Sequence, residues 1–282
     1  MGILDKLSKP IVDAAKIFSY VPDIRRNLSV GENIFGFYSP SGGTGVTTLV
    51  ANIATALGAT GKSVAVIDCN LNHPQLYRYL TKDRMPPSLS LTDRWINTAA
   101  PIMEYAAYSE DSMIATFSTT MSENIADLSQ FSDEVISKCY REIAMLFDFV
   151  LIDMHGGLND EPVFSALSVC SKIITLVRPI DGDIESVYKD EMTVLRYNFG
   201  TRFTNLVQCL VRDFAYRAKD LKEDTDLDFT ILANIPYCPF VERVGANYDV
   251  FVKSKLGTDD ASQQYRDAVK HLAEVILNYE DT

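Results

Sequence analysis

The chemistry in this chain starts with the ten residues SPSGGTGVTT, Ser39 to Thr48. They combine small, glycine and hydroxyl residues in a pattern suited to an anion. An apolar run of strand type, Ile34 to Tyr38, precedes them. Leu49, Val50, Ile53, Ala54 and Leu57 follow at helical spacing. A strand, a glycine loop and a helix N-terminus bring backbone N–H groups to one point, where the helix dipole adds partial positive charge. The expected cradle is Ser41, Gly42, Gly43, Thr44, Gly45, Val46, Thr47 and Thr48. Thr47 and Thr48 are placed to cap the helix, and one of their hydroxyls is placed to ligate Mg²⁺. Against the nucleotide-loop pattern G-x-x-x-x-G-K-[ST], Val46 occupies the lysine position. The bland alternative is a glycine-rich turn with no ligand.

Two acids come next. SVAVI (63–67) is a buried strand ending at Asp68, followed by Asn70, Asn72 and Pro74. A carboxylate there either holds Mg²⁺ or orients an attacking water beside the loop, or caps the next helix. FDFVLIDMHGG carries five apolar positions into Asp153, with Gly156 and Gly157 beyond. Asp153 is the expected Mg²⁺ carboxylate, and the glycines mark a loop able to respond to a terminal phosphate. His155 reads as structural more readily than catalytic.

The elements that must position these groups alternate. Helices are expected after Pro74, around Trp95, over 133–147, near 184–197 and at the C-terminal end through Tyr279. Strands are expected at MIATF, NIADL, KIITLV (172–177), NLVQCLV (205–211) and DLDFTILANIPYCP. Trp95 reads as packing. This alternation predicts an α/β fold: a mostly parallel twisted sheet with helices on both faces, as a single domain.

Composition sets limits. The net charge of -12 argues against nucleic acid as a partner of the whole molecule. The five cysteines, Cys69, Cys139, Cys170, Cys209 and Cys238, form no C-x-x-C pair and read as buried thiols in a reducing cytosol. No run of eighteen apolar residues is present, and the first thirty do not read as a secretory signal. Residues 1–30 stand apart as an amphipathic arm: Ile11, Ala14, Ala15, Phe18 and Val21 share one helical face, and five basic side chains oppose three acidic ones. Docking on a protein surface, lying on a membrane surface and disorder are all open for it.

YSPSGGTGVTTLVANIATAL, VAVIDCNLNHPQL, FDFVLIDMHGG and ILANIPYCP occur in an order that resembles the ParA/MinD family of deviant Walker-A P-loop ATPases. The resemblance covers about residues 31–282. It implies a P-loop NTPase domain, ATP and Mg²⁺ as cofactors, and a homodimer. Thr47 and Asp153 would be the metal residues, Gly157 a phosphate-side residue, and Pro236 and Tyr237 the turn beside the base. Asp68 and Asn70 fall on the D-x-D element, where the family has its catalytic acid. Ser41 and Val46 stand where the family has its two loop lysines, Asn70 replaces the second acid and Cys238 replaces the acid of the I-P-x-D turn. The subgroup most resembled is CpaE/TadZ, whose members help assemble Flp/Tad pili and usually carry a receiver-like domain in front.

What this implies is a nucleotide-binding protein with slow or lost ATPase activity that positions or assembles a cell-envelope machine. A pseudo-ATPase scaffold and a plasmid or chromosome partition ATPase are the alternatives. Its partners would be proteins of that machine. It would be cytoplasmic, with peripheral recruitment to the inner face of the membrane or to a pole through the arm.

Overall fold

The structure, a computed structural model, describes residues 31–81, 89–120, 131–154, 160–190 and 204–279. The proposed arm (1–30), NIADL, His155, Gly156 and Gly157 lie outside the described residues.

β1 (Gly31–Tyr38) leads through the glycine loop into helix α1 (Val46–Gly58) and then β2 (Val64–Asp68). Two short helices follow, α2 (Leu76–Leu80) and α3 (Leu91–Ile96), then β3 (Ala107–Tyr108) and β4 (Ile114–Ser118). α4 (Asp133–Ala144), β5 (Phe149–Met154), α5 (Glu161–Val169) and β6 (Cys170–Val177) form the next repeat. α6 (Asp181–Asp190), β7 (Asn205–Val211), α7 (Ala218–Thr225) and β8 (Thr230–Pro236) complete the sheet. α8 (Pro239–Gly245) and α9 (Asp260–Leu277) close the described chain.

The eight strands run in the order β3-β4-β2-β5-β1-β6-β7-β8. Every pairing is parallel except the short β3–β4 edge. Buried strands alternate between the two faces, as period-two side chains must. Ile34, Ala65, Ile67, Phe117, Val150 and Ile152 meet α3, α4 and α5 on one side. Phe35, Phe37, Val64, Val66, Leu151 and Leu176 meet α1, α2 and α9 on the other. Trp95 is 3% exposed, with its ring edge-on to Phe131, so it is packing. All five cysteines are buried and unbridged. Among the described residues no helix is long and apolar enough to cross a membrane.

The expected strands and helices inside the described residues are present; the 184–197 helix is described only as α6, to Asp190. The structure adds elements that the pattern did not announce. In α5, EPVFSALSV, every residue from Pro162 to Val169 is buried, so it has no polar face and no helical period to read. α7, α8 and β3 are short, and β3 has only two residues.

β1 sits at the centre because the chain leaves it first to one side, toward β2, and later returns to the other, through β6. That reversal opens a crevice at the carboxyl ends of the central strands, where ligands of such sheets bind. Tight packing holds β1 in place. A Cβ added at Gly36 would lie 2.5 Å from Met154 Cε and 2.7 Å from Cys170 Sγ. Gly36→Ala is therefore expected to cost about 1–3 kcal/mol, read as a lower urea midpoint; an unchanged midpoint would mean that Met154 and Cys170 shift freely.

Candidate functional site

Register puts the acids where they can act together. Tyr38 pairs with Met154, Phe37 with Asp153, and Asp68 with Asp153 across β2 and β5. The tips of β1, β2 and β5 therefore gather the loop and both carboxylates in one place.

The loop has the shape that its glycines predict. Gly43 and Gly45 take φ of 75° and 87°, conformations that L side chains rarely adopt. Among the described residues nothing lies within 4 Å of a Cβ added at Gly42, Gly43 or Gly45. Among the described residues nothing crowds these three glycines, so the loop backbone can be approached closely there. Gly45 is the N-cap of α1, and no side chain caps that terminus. The first-turn amides at Val46, Thr47 and Thr48, among the donors that a helix leaves without an intrahelical partner, have no partner among the described residues. The expectation that Thr47 or Thr48 would cap the helix is corrected here. Both residues are inside the first turn, past the cap position.

Thr47 uses its hydroxyl elsewhere. Its Oγ1 donates to Asp153 Oδ2 at 2.7 Å. Asp153 is fully buried, and its other oxygen, Oδ1, has no partner among the described residues. Thr44 Oγ1, in the loop itself, is likewise buried and unpartnered there. Burial, followed by the nearby Asp68 carboxylate, pushes the Asp153 carboxyl well above the usual carboxylate range; the Thr47 hydrogen bond opposes this. A hydroxyl and an orphaned carboxylate oxygen are the hard oxygen donors that Mg²⁺ takes, with nucleotide phosphates and waters supplying the rest. The residues present fit a Mg²⁺–triphosphate group.

Asp68 makes the contacts that its cap reading calls for. Its Oδ1 accepts from the Asn70 N–H at 3.0 Å, and its Oδ2 accepts from Gln75 and Leu76 at 2.7 and 3.0 Å. The carboxylate pins the turn into α2. Asn70 Oδ1 accepts from the His73 N–H at 3.0 Å and extends that turn. Beside it lies a cavity of ≈ 360 Å³ lined in part by His73, Gln75, Arg78 and Ser118.

Pro236 and Tyr237 are at the tip of β8, three strands from β1, which is about 14 Å at normal strand spacing. The Arg212 guanidinium covers the Tyr237 ring at 4.0 Å. Gln208, fully buried, ties this end together by donating to Asn234 Oδ1 at 2.9 Å and to the Tyr216 carbonyl at 2.8 Å.

One contact has no counterpart in the sequence reading. Ser41 Oγ donates to Asp183 Oδ1 at 2.8 Å, 142 positions away in the chain. Asp183 also accepts Arg178 Nε at 2.9 Å and Nη2 at 2.9 Å. The signal was present as R-P-I-D-G-D after a buried strand, but nothing local joins that turn to the loop.

A family profile described as ATPase MipZ matches residues 34–185, more than half of the chain. The chain belongs to the MipZ ATPase family. The matched span includes the loop, Asp68, Asp153 and Asp183. An uncharacterized ATP-binding protein of Methanocaldococcus jannaschii is 28% identical over 141 residues, covering 50% of this chain and 51% of that protein. The chain thus spans about half the length of that relative. The cell division ATPase MinD of Pyrococcus furiosus has the same fold, with TM-score 0.71, 20% identity and coverage of 88% of this chain and 99% of that one. The septum site-determining protein MinD of Pyrococcus horikoshii, complexed with Mg-ADP, gives TM-score 0.71 and 20% identity over 88% and 97%.

The raised Asp153 carboxyl gives a signed expectation. Its folded-state pKa lies above the unfolded value of about 3.9. The folded state therefore holds the extra proton, and stability is lost as pH rises from about 4 through the raised value. In a chelating buffer, Asp153→Asn should melt above the parent at pH 7, with the gap closing toward pH 4. A gap that did not change with pH would contradict this reading.

Proposed function

We propose that this protein is a nucleotide-responsive positioning or assembly factor of the ParA/MinD type that binds Mg·ATP and hydrolyses it slowly. The observation that supports it most is the Thr47–Asp153 pair. It leaves one buried carboxylate oxygen, Asp153 Oδ1, unpartnered among the described residues and sits beneath an open glycine loop.

In this reading the amides of residues 42–48 and the N-terminus of α1 bind the phosphates. Thr47 and Asp153 hold the metal, and Pro236 and Tyr237 flank the base. The MinD of Pyrococcus horikoshii was obtained with Mg-ADP, which favours the same ligand here. When bound, Mg²⁺ would offset part of the phosphate charge. The loop itself supplies no cation, because residues 39–48 contain neither Lys nor Arg. A lysine–phosphate contact contributes about 1.5–3 kcal/mol. Its loss weakens binding by roughly ten- to hundredfold and removes charge stabilisation from the transferring phosphoryl group. Asp68 is committed to three backbone amides and Asn70 cannot ionise, so activation of water is also poor.

The likeness to CpaE/TadZ points to a Tad/Flp pilus or another envelope machine as the setting. It favours a homodimer in the cytoplasm, with residues 1–30 as the recruiting arm. The lysine-free loop favours one second reading, a scaffold that keeps the fold without a nucleotide switch. Titration with a fluorescent ATP analogue, with and without Mg²⁺, separates the two. Saturable Mg²⁺-dependent binding that Asp153→Ala abolishes is expected, with turnover far below that of a lysine-bearing family member. Absence of any binding would favour the scaffold.

A further inference from the structure

The glycine loop lacks a cation, yet a hydrogen-bonded chain connects it to one. Arg178 is the first residue past β6, the strand that lies against β1 and pairs Thr175 with Tyr38. It therefore stands at the same end of the sheet as the loop. Asp183, in the first turn of α6, accepts both Nε and Nη2 of Arg178, and its Oδ2 also takes the Arg178 backbone N–H at 2.9 Å. The same Oδ1 that receives Nη2 receives the Ser41 hydroxyl. Loop and guanidinium are one shared oxygen apart.

The two partners differ in exposure. The Asp183 side chain is 4% exposed, and that of Arg178 is 36% exposed. The carboxylate is thus a buried fixture while the cation faces outward. Nη1 makes no hydrogen bond among the described residues, so donors remain for a further acceptor. Arginine suits this task because its planar fork can satisfy a carboxylate and a phosphate oxygen on different edges. Arg78, on the following helix α2, is directed at the Tyr77 and Tyr248 hydroxyls instead, and Arg212, past β7, covers the Tyr237 ring.

We infer that Arg178 is the phosphate-facing cation of this site, held over the glycine loop by Asp183 and Ser41 in place of a lysine carried by the loop itself. This rests on the nucleotide-binding reading proposed above. Asp183 then acts as a positioning residue with two opposing effects: it orients the guanidinium and keeps the loop at Ser41 in place, and it neutralises part of the charge a phosphate would meet. A purely structural ion pair has no such opposition, because losing either partner loosens the loop.

The test is equilibrium binding of Mg·ATP to the full chain and to three variants, with far-UV circular dichroism and thermal melting to verify folding. Arg178→Ala should weaken ATP binding about ten- to hundredfold. Asp183→Asn keeps an acceptor for Ser41 while freeing the guanidinium, and it should strengthen ATP binding. Asp153→Ala, on the metal side, should abolish Mg²⁺-dependent binding, as proposed above. Opposite signs for Arg178→Ala and Asp183→Asn are the expected result. Weakening by both, or an unchanged affinity in a folded Arg178→Ala protein, overturns the inference and leaves nucleotide binding intact. If Arg178→Ala fails to fold, unchanged or weaker binding by Asp183→Asn overturns it alone. A parent protein that binds no ATP at all removes the nucleotide reading, and this inference with it.

Discussion

The Thr47 hydroxyl and the Asp153 carboxylate meet across 106 positions of chain at 2.7 Å, and the site depends on that meeting. It fixes the first turn of α1 to the tip of β5. It also requires a carboxylate to sit fully buried with one oxygen unpartnered among the described residues. Burying such a group is expensive unless a partner arrives or the proton stays. β1, β2 and β5 around it are packed on both faces. A core built for stability alone would place a leucine there. A buried carboxylate with an unpartnered oxygen at the switch point of a parallel sheet is the kind of group through which a ligand site is recognised.

The electrostatic design around that carboxylate is unusual. Asp68 stands beside Asp153 in register, which adds repulsion, but it is bonded to three amides of the following turn. One acid thus holds local architecture, while the other keeps an oxygen unpartnered among the described residues. On the far side of the loop, burial works to raise the Asp183 carboxyl, but its hydrogen bonds from Arg178 and Ser41 outweigh this and hold it below the usual value. The loop is therefore flanked by a carboxylate that prefers its proton and one that does not. Among the described residues the second is paired with a cation and the first is not.

The fold and much of the site could be read from local pattern. A short apolar run, a glycine loop and a helical period define β1, the loop and α1 without any tertiary information. Asp68 and Asp153 are marked because each ends a buried strand. The reading failed where the pattern is silent. α5 is buried all round, so it shows no period. Thr47 looks like a cap in sequence, because hydroxyls before an apolar run usually are; the αL conformation of Gly45 moves the cap position two residues back. Asp68 was equally readable as a catalyst or a cap, because both need a carboxylate at the end of a strand.

By itself the sequence determined the parallel α/β architecture, the open glycine loop and the identity of its two acids. These follow from short-range rules: side-chain period, glycine torsions and the polarity of strand ends. Only the tertiary structure decided which oxygen is left unpartnered among the described residues, which acid bonds the following turn, and that Ser41 meets Asp183 and through it Arg178. Those outcomes depend on the order of strands in the sheet. That order brings β6 beside β1, and no pattern within a single element records which strand will become its neighbour.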